Sequence, residues 1–239
     1  MAALKMEYTR LGNSGLKISK VILGAMSFGS SEWEDWVIDE EAALPLLKHA
    51  YDVGLNTWDT ADVYSHGRSE EIIGKALKQY SIPRNKVVIL SKCYFGVADD
   101  GSQPSFMAVS TNDGDMVNQV GLSRKHIFDA VDNSVKRLGT HIDVFQIHRL
   151  DRDTPREEIM RALNDVVESG KVRYIGASSV SDPLYYYNRE EQVDIVRWLR
   201  GSFKPCRTLQ INTAGISSSL CRITTIFYIE KKVSSQSAC

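Results

Sequence analysis

Cysteine is scarce and scattered: Cys93, Cys206, Cys221 and Cys239 are the only four in 239 residues, and no two stand at CxxC or metal-ligand spacing. A disulfide scaffold and a zinc site are disfavoured, and a reducing, cytoplasmic setting is the expectation. Neither sign of charge is in excess. The 29 Lys and Arg are interspersed with 30 Asp and Glu, for a formal net charge of -1. Nucleic acid and anionic membranes are recognised by basic patches, so neither is an expected partner. Long apolar runs are missing as well. Met1 to Arg10 has no signal-peptide core, and the apolar stretch nearest the C-terminus is broken by Arg222 and Glu230. A secretory leader and membrane insertion are therefore not expected. What is present is a composition of 43% hydrophobic and 25% charged residues, enough to bury a sizeable core in one domain, or one and a fragment.

Segments of helical period alternate with short β-branched runs, the pattern of βα units around a parallel sheet. Ahead of them, Tyr8 to Lys20 carries the turn signals Gly12-Asn13 and Ser14-Gly15 and reads as a β-hairpin. Strands are expected at Val21 to Ala25, Asn56 to Asp62, Lys86 to Lys92, Ile142 to His148 and Val172 to Ala177. The intervening helices take Asp39, Ser69, Ser123 and Thr154 as N-caps, Gly54, Gly139 and Gly170 as stops, and a kink at Pro45. From Phe95 to Gly121 runs an aperiodic segment rich in Gly, Ser, Asp and Asn; loops of this length are functional or disordered.

In a β/α barrel the reacting groups stand where strands end, so polar strand ends are the candidates. Asp59 and Asp62 end the second strand, with Tyr64 just beyond; Lys92 ends the third and His148 the fourth. By alternation Val88, Leu90 and Lys92 share one face, as do Val144, Gln146 and His148, which lets Lys92 and His148 project together. Such a set makes a tuned phenol. An ordinary tyrosine, with a pKa of about 10, is a poor acid near neutrality. A lysine beside it is expected to lower that value, an aspartate to keep the lysine charged, and a histidine to bond the substrate oxygen. With a hydride donor opposite, the set is a carbonyl reductase site. Singly, each residue also has a plain structural role open to it: a turn aspartate, a loop aromatic, a solvated strand terminus, a core histidine. Trp33 and Trp36 are read as a substrate-pocket wall and Cys93 as a small buried residue.

The run Gly54-Leu55-Asn56-Thr57-Trp58-Asp59-Thr60-Ala61-Asp62-Val63-Tyr64, with Gly67, Ser69 and Glu70 after it, resembles the signature of the aldo-keto reductases. Lys92 after its β-branched strand, Asp143 to His148, and Gly170 to Ser178 are similar to that family's later motifs, in order. The resemblance runs from about Tyr8 to Ser179 and has the flavour of the fungal branch containing aryl-alcohol dehydrogenases and versiconal hemiacetal acetate reductase. It implies an α/β fold of the (β/α)8 TIM-barrel type and NADPH-dependent reduction of an aldehyde or ketone, a small-molecule carbonyl substrate. It also implies Tyr64 as proton donor, Lys92 and Asp59 as its tuning pair, and His148 as the orienting group. Cofactor contacts would come from Asp59, Ser178, Ser179 and Gln210.

The chain departs from the family pattern after Ser179. Residues 1–179 read as the barrel portion, five to six of eight βα units; residues 180–239 read as a divergent tail, truncated or altered relative to the family. In that tail Glu190 to Arg200 is a candidate helix and Thr208 to Thr213 a candidate strand, with Ser- and Thr-rich irregular chain from Ser217. Without the basic loop that grips the 2′-phosphate, weak NADPH binding and little turnover are expected. The alternative function is a nucleotide-binding, regulatory partner protein resembling potassium-channel β-subunits, or a product without function.

Overall fold

The computed structural model describes residues 6–12 and 14–178, and the backbone of 227–229. The hairpin forms where the turn signals put it. β1 (Tyr8–Arg10) pairs antiparallel with β2 (Lys17–Ser19), with Thr9 opposite Ile18. Next come β3 (Leu23–Gly24), β4 (Thr57–Asp59), β5 (Val88–Cys93), β6 (Ile142–Ile147) and β7 (Val172–Ala177), which lie side by side in sequence order and all parallel. The helices α1 (Glu40–Asp52), α2 (Arg68–Gln79), α3 (Arg124–Leu138) and α4 (Arg156–Glu168) make the crossovers. β8 (Phe227–Ile229) adds to the β7 edge antiparallel, Gly176 opposite Tyr228, within a stretch expected to be irregular. Its Phe-Tyr-Ile triplet has the aromatic and β-branched character that strands favour. The candidate helix Glu190 to Arg200 and strand Thr208 to Thr213 lie outside the described residues.

Local chemistry accounts for the helix ends. Asp39 Oδ1 accepts from Ala42 N at 3.3 Å, Ser123 Oγ accepts from His126 N at 3.2 Å, and Gly139 closes α3 at φ 67°. Two expected caps do something else. Gly67 occupies the cap position of α2, and the Ser69 hydroxyl instead donates to Ala25 O at 2.7 Å and lies 2.8 Å from Thr60 Oγ1, pinning the helix to β3 and β4. Thr154 donates its hydroxyl to Asp151 Oδ2 at 2.6 Å, so α4 starts after Pro155 with no side-chain cap. Ser69 gives its hydroxyl to a carbonyl 44 residues away, Thr154 to a carboxylate three residues before it. Pro45, expected to kink α1, sits inside one uninterrupted helical element.

Alternation along the strands sorts two cores. Ile89 and Phe145 face the helices in the main cluster, with Trp58 fully buried there. Val88, Leu90 and Val144 point to the opposite face, where Leu11 and Ile18 of the hairpin cover them. The hairpin thus plugs one end of the inner face. Two residues beyond Leu90 and Val144, Lys92 stands beside Gln146 on that same face and near its other end. Pairing outlasts the formal strand: Thr60 N donates to Leu90 O and Asp62 N to Lys92 O beyond the end of β4. On the outer side, α2 and α3 touch backbone to backbone at Gly74, where a Cβ would lie 2.7 Å from Leu138 O.

The long segment between β5 and α3 is built, with a closed neck. Gly121 N donates to Tyr94 O at 2.7 Å and Gly96 N to Val109 O at 2.9 Å. Asp151 Oδ2 receives Leu122 N at 2.6 Å, and a Cβ on Gly121 would collide with that same oxygen.

Candidate active site

Three of the five strand-end candidates, Asp59, Tyr64 and Lys92, meet at the buried lysine ammonium. Lys92 Nζ donates to Asp59 Oδ2 at 2.6 Å, to Thr60 O at 2.8 Å and to Tyr64 Oη at 3.3 Å. The geometry follows from the register. Asp59 pairs with Leu90, so Lys92 lies two residues past it on the same face, and the turn after β4 folds Tyr64 back over the strand end. His148 meets Tyr64 through its ring, edge to face with centroids 5.7 Å apart, and its Nδ1 is buried with no partner among the described residues. Asp62 departs from the group. Its carboxyl is fully buried and lines a groove of about 1060 Å³ between the long loop, α2 and α3. Burial and the neighbouring Glu70 push it well above the usual carboxylate range.

The electrostatics correct one expectation. Burial raises the Tyr64 phenol, and although Lys92 pulls it back, the net position is above the ordinary tyrosine value, not below it. Desolvation of a nearly enclosed phenolate exceeds the attraction of one ammonium that Asp59 has already half neutralised. Tyr64 is therefore fully protonated at neutral pH. Burial also works against the Lys92 charge, but Asp59 and Tyr64 outweigh it and hold the ammonium above the ordinary lysine range. His148 is driven well below its usual value by burial, then by Lys92 and Arg149. Its imidazole is neutral.

Aromatic rings wall the site. Trp33, 5% exposed, lies 6.3 Å from the Tyr64 ring and packs edge to face on Phe106 at 4.9 Å. Phe95 meets both Phe106, at 5.2 Å, and His148, at 5.3 Å. Trp36 is 47% exposed and its ring pairs with Trp33 at 6.1 Å, while it is Trp33 whose ring lies against Tyr64. Cys93 is a buried free thiol.

Ser178 follows β7, is buried, and donates its N–H to Ile147 O at 2.8 Å; Ser179 and Gln210 lie outside the described residues. Gln146 gained no role from the sequence, yet its Nε2 donates to Asp59 Oδ1 at 3.1 Å while its Oε1 is buried without a partner among the described residues. Its alternation with His148 was the available signal. An orphaned amide oxygen beside Asp59 and Ser178 suits the carboxamide of a nicotinamide, so the residues present fit that end of the cofactor. Among the described residues, no group of three His, Cys, Asp or Glu is placed to hold a metal, and no helix is long and apolar enough to cross a membrane.

The profile of the Aldo/keto reductase family matches residues 20–210. Versiconal hemiacetal acetate reductase of Aspergillus parasiticus is 70% identical over 177 residues, which cover 74% of this chain and 52% of that protein. Aldo-keto reductases of Metarhizium robertsii and Alternaria alternata are 54% and 50% identical, each over 74% of this chain and 50% and 51% of their own lengths. The chain spans about half the length of these curated relatives. The family's fold is a (β/α)8 barrel with a nicotinamide nucleotide as cofactor, and the five-stranded parallel sheet behind an N-terminal hairpin accords with it. By the span of the profile match and the identity of its relatives, the chain belongs to the aldo/keto reductase family.

Proposed function

We propose that the site reduces an aldehyde or ketone to the alcohol with NADPH as cofactor and Tyr64 as the proton donor. The observation that carries this is the buried Lys92 ammonium, ion-paired to Asp59 and within hydrogen-bond reach of the Tyr64 hydroxyl. A bound NADPH supplies the hydride for the carbonyl carbon. Asp59, Gln146 and Ser178, with Ser179 and Gln210, would hold its nicotinamide end.

The protein's own part is proton management. Tyr64, kept protonated by burial, gives its proton to the carbonyl oxygen as that oxygen gains charge. The phenolate left behind sits against Lys92, which favours it in the transition state more than in the ground state. Asp59 keeps Lys92 charged and aimed. His148, neutral, offers one N–H to the same oxygen without competing for the proton. Trp33, Phe95 and Phe106 exclude water and present flat apolar surfaces, which favours a planar aromatic carbonyl as substrate.

The test is turnover of the purified chain with an aromatic aldehyde, followed by loss of NADPH absorbance, beside calorimetric titration of NADPH. Weak binding of NADPH with slow, aldehyde-dependent oxidation is the expected result. Tight binding of NADPH without turnover of any aldehyde or ketone would favour a nucleotide-binding regulatory role instead.

A further inference from the structure

The wall of the site is mostly loop. Phe95 and Phe106 reach His148 and Trp33 from the segment between β5 and α3, whose neck is closed at Tyr94 and Gly121. Its outer bend, residues 98–104, is fastened at one further point. Ala98 N donates to His66 Nδ1 at 3.0 Å, and His66 Nε2 lies 2.7 Å from Pro104 O. These two contacts fix the imidazole. A backbone N–H can only donate and a carbonyl can only accept, so Nδ1 is bare and Nε2 carries the hydrogen. A neutral ring satisfies both; a protonated ring has no acceptor for Ala98.

The turn that presents this ring is costly. Ser65 and His66 both adopt left-handed backbone, φ 46° and 49°, which residues with a Cβ avoid. The turn is braced from behind by Gly29, where a Cβ would fall 2.0 Å from Ser65 Oγ, and by Ser30 N donating to that oxygen at 3.2 Å. A strained turn that spends its side chain on two backbone groups of a distant loop is a fastening. We propose that His66 is a positioning residue: it clamps the 98–104 bend so that Phe95 and Phe106 wall the site, and its protonation releases that wall.

Charge around the ring bears on when this happens. Burial lowers the His66 value, while the bond to Pro104 O and then the charge of Asp100 on the loop pull the other way. The same groove places Asp99 of the loop, Glu32 before α1, Asp62 after β4, Arg68 of α2, and Lys125 and Arg137 of α3 along its walls. Because the Ala98 N–H needs a bare Nδ1, the clamped state disfavours the proton, and acid favours release as pH falls below the ordinary histidine range, about 6.5. The clamp stands on its own geometry; only the purpose of the wall rests on the reductase reading.

Hydrogen–deuterium exchange of the whole chain, corrected for intrinsic pH dependence, tests the clamp. Between pH 7.5 and 5.5, residues 97–109 of the unaltered protein should lose protection by up to about tenfold more than β5 and β6 do, the limit for one histidine proton. His66→Asn keeps an uncharged acceptor, suits left-handed backbone, and should make that segment insensitive to pH. His66→Ala should leave it open at both. In turnover, His66→Ala should raise KM for an aromatic aldehyde several-fold with kcat little changed, and His66→Asn should restore much of the loss. Equal protection at both pH values in the unaltered protein, or an unchanged acid response in His66→Asn, would overturn the clamp. A chain that turns over no carbonyl yet shows the acid opening would overturn the reductase reading and support the clamp.

Discussion

Asp59 and Lys92, 33 residues apart in sequence and on neighbouring parallel strands, form an ion pair in which the lysine side chain is 1% exposed and the aspartate 20%. The asymmetry decides what each residue does. The cation has no water to fall back on, so the carboxylate is its necessary partner, whereas the carboxylate keeps some solvent and the Gln146 amide.

Removing the two partners should therefore have unequal costs. Asp59→Leu leaves a buried, unpaired ammonium and should destabilise the chain by about 3–5 kcal/mol, as one-sided breaks of buried pairs do. Lys92→Met should cost clearly less. Urea unfolding of both variants, compared at neutral pH, checks the order; equal losses would mean that Asp59 is not what holds the lysine charge.

Tyr64→Phe removes the proposed proton donor and no group assigned to the cofactor. Carbonyl reduction should fall by about 10²–10⁴-fold, with NADPH affinity nearly unchanged. Steady-state kinetics and cofactor titration on the same preparation give the comparison, and retained turnover would dismiss Tyr64 as the acid.

His148 fixes the sign of one pH effect. Its value in the folded chain lies well below the ordinary one, so the unfolded chain takes up a proton first as pH falls through about 6.5. Stability contributed by the neutral ring is thus present above that pH and lost on acidification, by up to about 1.4 kcal/mol per pH unit for one proton. His66, His126 and His141 shift in the same direction. Replacing His148 with Asn should flatten the fall between pH 7 and pH 5; a slope as steep as before would place the ring in contact with water.

Gly74 is where α2 and α3 come closest. An alanine methyl there would lie 2.7 Å from Leu138 O and 2.8 Å from Arg137 O, both backbone atoms. The helices must part, at a cost of about 1–3 kcal/mol, despite the gain in helix propensity. Thermal unfolding of Gly74→Ala measures it, and an unchanged or raised midpoint would show that the pair yields freely.

The alternation of strands and helices, the hairpin, and the caps at Asp39 and Ser123 were legible in the residues because each depends on neighbours a few positions away. The strand-end candidates were legible too, since side-chain alternation carries Lys92 and His148 to one face. What the Ser69 hydroxyl bonds was not: the residue stands where a cap is expected, and only tertiary packing brings Ala25 O, 44 residues away in sequence, within reach. Thr154 was diverted by a nearer rival, the Asp151 carboxylate three residues before it. The direction of the Tyr64 shift was equally hidden, because desolvation sums over everything that surrounds the ring while the sequence displays only the attracting lysine. Gln146 and His66 lie deepest in the tertiary structure. Their partners are a carboxylate on another strand and two backbone groups of a remote loop, and no local pattern encodes a contact of that kind.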